Sequence, residues 1–179
     1  MYRLIVCWGF LLGGAANFTS ANSESTSGRI LRHEVTLRAS LDQVWHAWTT
    51  SGGLSTFFST HNNVELRVGG PYELFLNVPP DKNGKRGGQG CKVLSYLPKE
   101  MLSFEWGFRP DIPSLRYAGA KTHVVLRFDS AGDGTTRVRL AQLGWGTGDD
   151  WDKGYDYFDK EWAEALDALK NLFLKKGPS

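Results

Sequence analysis

The chain has 179 residues, 41% of them hydrophobic and 22% charged, with 21 basic against 19 acidic side chains for a formal net charge of +2. So balanced a composition excludes an electrostatic binder of nucleic acid or anionic lipid, which requires a basic stripe that this sequence lacks. Two cysteines, Cys7 and Cys91, are too few for a disulfide scaffold, so stability has to come from a buried core.

The first residues read as an export signal. Met1-Tyr2-Arg3 is basic, Leu4 to Ala16 carries no charge, and Asn17 to Ser23 is small and polar. The apolar run is about 13 residues, short of the roughly 20 that a bilayer-spanning helix needs. Cleavage is expected after Ala16 or Ala21; the alternative is a short apolar element docked on the domain. Residues 1–21 are therefore assigned to a signal peptide, 22–30 to a polar linker, 31–174 to one domain and 175–179 to a tail. Removing the signal leaves one cysteine, Cys91, and takes away only Arg3 among the charges. The expected product is periplasmic or extracellular, with no integral membrane segment.

From Leu31 the apolar period is two: Leu31, His33, Val35 and Leu37 share a face, and Arg32, Glu34, Thr36 and Arg38 the other. At Ser40 the pattern becomes helical. Ser40 and Gln43 form a capping box, Leu41, Val44, Trp45 and Trp48 keep three-four spacing, and Gly52-Gly53 is expected to end the helix. Strands follow at Val64–Val68 and Tyr72–Leu76, separated by the Gly69-Gly70-Pro71 turn. A polar, flexible hairpin loop over residues 79–88 leads to strands near Cys91–Tyr96 and Met101–Trp106. Gly107 to Lys121 shows no period. Val124, Leu126 and Phe128 then meet Val138 and Leu140 across Ala131-Gly132-Asp133-Gly134, a strong hairpin signal. Last, Tyr155, Phe158, Trp162, Ala165, Leu166, Leu169, Leu172 and Phe173 form the apolar stripe of a long amphipathic helix.

Hairpin turns rather than helical crossovers join the strands, so the sheet is antiparallel. Its apolar face needs a cover, and the terminal helix is the largest apolar surface left. The expected fold class is α+β, a curved antiparallel sheet wrapped around a long C-terminal helix, with a gap for a ligand at the wide end.

The segment Glu34 to Thr50, with Val44-Trp45, Ala47 and Thr49, followed by Leu54 with Phe57 and then Gly69-Gly70, resembles the START-like (SRPBCC) helix-grip superfamily. Its similarity is greatest to the branch named for the activator of the heat-shock-protein ATPase. Gly144-Trp145 and the Trp162, Leu166, Leu169, Lys170 series resemble the closing loop and helix of that branch. The resemblance spans about residues 31 to 174 and implies the helix-grip fold; it rests on turn and core residues, so it implies little about activity. Members of the branch that act on a cytosolic chaperone would not share a compartment with an exported protein.

Candidate chemistry centres on the expected gap. His33 sits on the apolar side of the first strand, either lining a cavity or satisfied as a sheet-end histidine. Gln142 continues the inward face of Val138 and Leu140, and it points into the gap or caps the sheet end. Trp106, Trp145, Trp151 and Tyr155 are candidate pocket walls for a flat or apolar ligand; its spacing favours Tyr155 as an ordinary core-facing helix residue. Cys91 alternates with Val93 and reads as a buried small hydrophobe. Glu73 and Glu105 are expected on the outer face, paired with Arg127, Arg137 or Lys92. His33, His46, His61 and His123 are scattered, so no metal site is expected. Gly84-Lys85-Arg86-Gly87-Gly88 is glycine-rich and basic, but no helix follows it to hold a phosphate. With no nucleophile or cofactor motif present, no cofactor is expected.

Three readings follow. One is a binder of a small hydrophobic or aromatic molecule in an internal cavity. Another is a cyclase- or dehydratase-type enzyme using a cavity histidine. The last is an envelope protein-interaction domain using the charged sheet face.

Overall fold

A computed structural model describes residues 28–75 and 79–175. The expected signal peptide, with Cys7, and most of the expected linker and tail lie outside the described residues.

The elements are β1 (Leu31–Leu37), α1 (Leu41–Thr49), α2 (Ser51–Leu54), β2 (His61–Val64), β3 (Tyr72–Phe75), β4 (Val93–Leu97), β5 (Met101–Gly107), α3 (Pro113–Tyr117), β6 (Lys121–Gly132), β7 (Thr135–Leu143) and α4 (Asp149–Lys175). Five strands form an antiparallel sheet in the order β1-β7-β6-β5-β4, and β2 pairs with β3 in a smaller one. The two sheets are stitched at Tyr72 N–H to Cys91 O (2.9 Å) and Val93 N–H to Gly70 O (2.9 Å).

Local chemistry explains the boundaries. Gln43 N–H donates to Ser40 Oγ (3.3 Å) and Ser40 N–H to Gln43 Oε1 (2.8 Å), closing the capping box at the start of α1. The helix stops at Thr50 rather than at Gly52-Gly53, because Thr50 is extended and caps α2 through its hydroxyl. Gly53 then lies so close to α1 that a Cβ there would stand 2.3 Å from His46 O. The expected 64–68 strand is displaced to 61–64: Arg67 N–H turns back to Glu65 O (2.8 Å), Gly70 N–H to Arg67 O (2.8 Å), and Val68 is left 66% exposed. The aperiodic 107–121 stretch contains α3, which starts on a proline whose missing N–H costs nothing at that position. At the β6–β7 hairpin, Asp133 (φ 48°) and Gly134 (φ 68°) form the left-handed turn that the sequence anticipates.

The 27 residues of α4 extend about 40 Å at 1.5 Å per residue. Gly154, Phe158, Trp162, Ala165, Leu166, Leu169 and Phe173 are its buried stripe, against the inward side chains of the large sheet. The helix is the cover that the apolar side of the sheet requires.

Candidate functional site

Strand alternation delivers Phe104 and Trp106 from β5, Thr122 and Val124 from β6, and Leu140 and Gln142 from β7 to the side facing α4; all are buried. Phe158 and Trp162 meet them there. The Trp106 and Trp162 rings are 4.9 Å apart, and Trp145, in the loop after β7, reaches Phe158 at 6.2 Å. A polar chain runs through these rings. Trp162 Nε1 donates to Gln142 Oε1 (2.6 Å), Gln142 Nε2 to Thr122 Oγ1 (2.7 Å), and Thr122 Oγ1 to Trp106 O (3.2 Å). Trp145 Nε1 donates to the Gln142 backbone carbonyl (3.0 Å). Burial without these bonds would cost on the order of 1–3 kcal/mol for each group. Gln142 clamps α4 onto β7.

The six residues that sequence reasoning singles out therefore separate. Trp106, Gln142 and Trp145 come together inside the packed interior. Trp151 and Tyr155 flank them from the first turns of α4: Trp151 meets Phe108 edge-on (5.1 Å), and Tyr155 lies between Trp145 (5.0 Å) and the Arg29 guanidinium (4.9 Å). His33 stands apart. It faces α4 from β1, one of the sheet's two edge strands, with its ring 20% exposed and Nε2 2.9 Å from Asp159 Oδ1. None of the six lines the opening at Phe58 and Phe75.

That opening is a cleft of about 740 Å³ beside the interior, bounded by the 58–61 segment, Phe75 of β3 and the 84–89 loop. Ser59 ties the first two together, its hydroxyl 2.8 Å from His61 O and 3.0 Å from Phe75 O. Phe58 lines the cleft and also stacks on Trp106 (5.9 Å, 16° between planes) and tilts against Trp162 (5.5 Å). Trp106 Nε1 is a buried donor with no partner among the described residues.

The loop wall is tied down by a hydrogen-bond network that includes α3. The Asp81 carboxylate accepts from Asn83 N–H (2.8 Å), Lys85 N–H (2.9 Å) and Arg116 Nε (2.7 Å) of α3. Arg116 Nη1 also donates to Gly87 O (3.2 Å) and Phe108 O (2.5 Å). The two side chains are only 2% and 9% exposed. Arg116, with the two backbone amides, holds the Asp81 carboxyl down at about 2.

Other chemistry is sparse. Among the described residues no group of three or more His, Cys, Asp or Glu is placed to hold a metal ion. Cys91 is buried as its alternation implies, and burial pushes its thiol up to about 11, away from nucleophilic use near neutrality. Glu105 pairs with Lys121 (2.5 Å), and Glu73 accepts from Gly90 N–H (2.6 Å) and Asn63 Nδ2 (2.9 Å); these replace the partners expected from strand pairing. No helix among the described residues is long and apolar enough to cross a membrane.

A curved antiparallel sheet closed by one long C-terminal helix defines a helix-grip protein of the START-like class, a fold generically associated with small-molecule cavities. Within that class, the chain belongs to the family described as activator of Hsp90 ATPase homolog 1-like protein, whose model matches residues 38–173. Protein MLL2253 of Mesorhizobium loti is similar over 84% of this chain and 100% of its own, with TM-score 0.67 and 19% identity. The Aha1 dimer of Colwellia psychrerythraea follows over 81% and 96%, at TM-score 0.61 and 20% identity. CalU16 of Micromonospora echinospora covers 80% and 74%, at TM-score 0.55 and 23% identity. At such identities the likeness concerns the fold. No curated protein matches the chain.

The cleft residues were missed for an identifiable reason. They come from three separate segments, none with a motif. Only the basic, glycine-rich run at 84–88 gave a signal, and it pointed to phosphate chemistry that its context does not support.

Proposed function

We propose that the protein binds a small, partly apolar or aromatic molecule, and that the cleft at Phe58 and Phe75 receives it. The observation that carries this reading is the cleft itself. Its volume of about 740 Å³ falls within the roughly 300–1,000 Å³ of typical ligand sites. It combines two phenylalanine rings with a few polar groups, and its loop wall is fixed in advance by Arg116 and Asp81, which lowers the ordering cost of binding. Phe58 separates the cleft from Trp106. A ligand that turned Phe58 aside would meet the face of the Trp106 ring behind it. We also propose, from the sequence of residues 1–21, that the protein acts outside the cytoplasm.

Thr60 is exposed and lines the cleft, so Thr60→Trp fills the space without touching the core. Native mass spectrometry of protein gently extracted from its own host is expected to show a small-molecule adduct in the wild type and none in T60W. An adduct of unchanged abundance in T60W, or a wild type that carries none and takes up no apolar probe, would refute the reading.

A further inference from the structure

We infer that the molecule bound in the cleft is an organic anion, an apolar or aromatic body bearing an acidic oxygen group, and that Arg86 reads its charge. This rests on the cleft being the binding site. Among the described residues, the cleft lining contains one fixed cation, Arg86, and no carboxylate. Arg86 is exposed and makes no ion pair or hydrogen bond among the described residues. Elsewhere Arg67, Arg109 and Arg139 each meet a carboxylate within 2.8 Å. The acid nearest to Arg86 within its own loop, Asp81, is fully engaged by Arg116 and two backbone amides, so it does not neutralise Arg86.

Among the polar side chains that line the cleft with Arg86, Gln89 is set to donate. Gln89 Oε1 accepts from Gly87 N–H (2.8 Å), which fixes the amide and leaves its NH₂ for a ligand. The hydroxyl of Ser59 is already spent on two backbone carbonyls. Phe58 and Phe75 supply the apolar remainder. A guanidinium presents a planar fork of donors that matches two oxygens of an acid group, and such charge-assisted pairs are about twice as strong as neutral ones. An uncharged apolar ligand would leave this fork to solvent alone.

A matched pair of fluorescent probes separates charge from shape. 1-Anilinonaphthalene-8-sulfonate and N-phenyl-1-naphthylamine share their rings, and only the first is an anion. The full chain is expected to bind both. Arg86→Gln should weaken the sulfonate probe about tenfold and the neutral probe less than about twofold, with Arg86→Lys restoring most of the loss. Added salt should weaken only the sulfonate. Arg86 has no ion pair or hydrogen bond among the described residues to lose, so R86Q should keep the wild-type melting temperature. If R86Q leaves the sulfonate within twofold, or weakens both probes alike, the inference fails while the cleft reading stands. If T60W still binds both probes, or the wild type binds neither, the cleft reading fails and takes this one with it.

Discussion

Replacing Gln142 with leucine is the sharpest test of whether the interior is packed. The side chain is fully buried, and its Oε1 is the acceptor for Trp162 Nε1 at 2.6 Å. Leucine has nearly the same volume but offers no acceptor, so the indole N–H of α4 is orphaned. Thr122 keeps its bond to Trp106 O (3.2 Å), and Trp145 bonds the residue-142 backbone, so neither is stranded. One orphaned buried donor costs roughly 1–3 kcal/mol, and greater apolar burial returns a part, leaving a loss of about 2 kcal/mol. For a domain of this size that is roughly 4–8 °C in Tm. Urea unfolding followed by far-UV circular dichroism measures it, with an unchanged m-value showing that the unfolded state is not involved. Combined with Trp162→Phe, the double-mutant cycle should give a coupling of about 1–2 kcal/mol. A Q142L protein within about 0.5 kcal/mol of wild type, or more stable, would refute the clamp. Gln142 would then face open space, and an internal cavity would return.

Gly154→Ala places a Cβ 2.7 Å from Phe108 Cε1, and Phe108 is itself enclosed by Trp145, Trp151 and Phe158. Overpacking of about 1–3 kcal/mol outweighs the roughly 1 kcal/mol gained in helix propensity, so thermal unfolding should show a lower Tm. The carboxyl of Asp81 is held at about 2, below its usual 3.8, so its contribution to stability is present above about pH 4 and is lost as pH falls towards 2. Asp81→Asn should flatten the decline of the urea midpoint between pH 4 and 2; equal slopes would refute the pairing. Native protein at pH 8 should leave Cys91 unalkylated until it is unfolded, because with its thiol near 11 about one molecule in a thousand carries the thiolate. Rapid labelling of Cys91 in the folded state, read by peptide mass mapping, would contradict its burial.

Much of the fold is legible in the sequence because each piece is decided locally. Ser40 and Gln43 announce a helix start, Asp133-Gly134 a tight turn, and the Phe158-Trp162-Leu166-Leu169 stripe a helix against a sheet. What is hidden depends on distant neighbours. No local pattern shows that Gly53 and Gly154 are needed where α1 and Phe108 approach them, or that residues 65–70 turn back instead of extending β2. The same distinction governs the site. A period of two assigns Trp106 and Gln142 to the inward face, but it does not say whether that face encloses a void. Here four large rings, Trp106, Trp145, Phe158 and Trp162, crowd together on that face. The cleft depends on the 58–61 segment and the 84–89 loop meeting across β3, through Ser59 and the Phe75–Gly87 bridge, and that is a tertiary event.

The buried pair between Asp81 and Arg116 explains why a glycine-rich loop can serve as a wall at all. Desolvating two charges offsets most of their attraction, so a packed apolar pair would serve stability as well. An apolar pair would not, however, fix the backbone on both sides. Arg116 reaches the carbonyls of Gly87 and Phe108 while Asp81 gathers the amides of Asn83 and Lys85, and together they set the path of the chain through Arg86. A directional network of this kind specifies position more than it adds stability. Its place in the fold is beside the cleft and away from the hydrophobic centre, where a binding wall needs definition and the core does not.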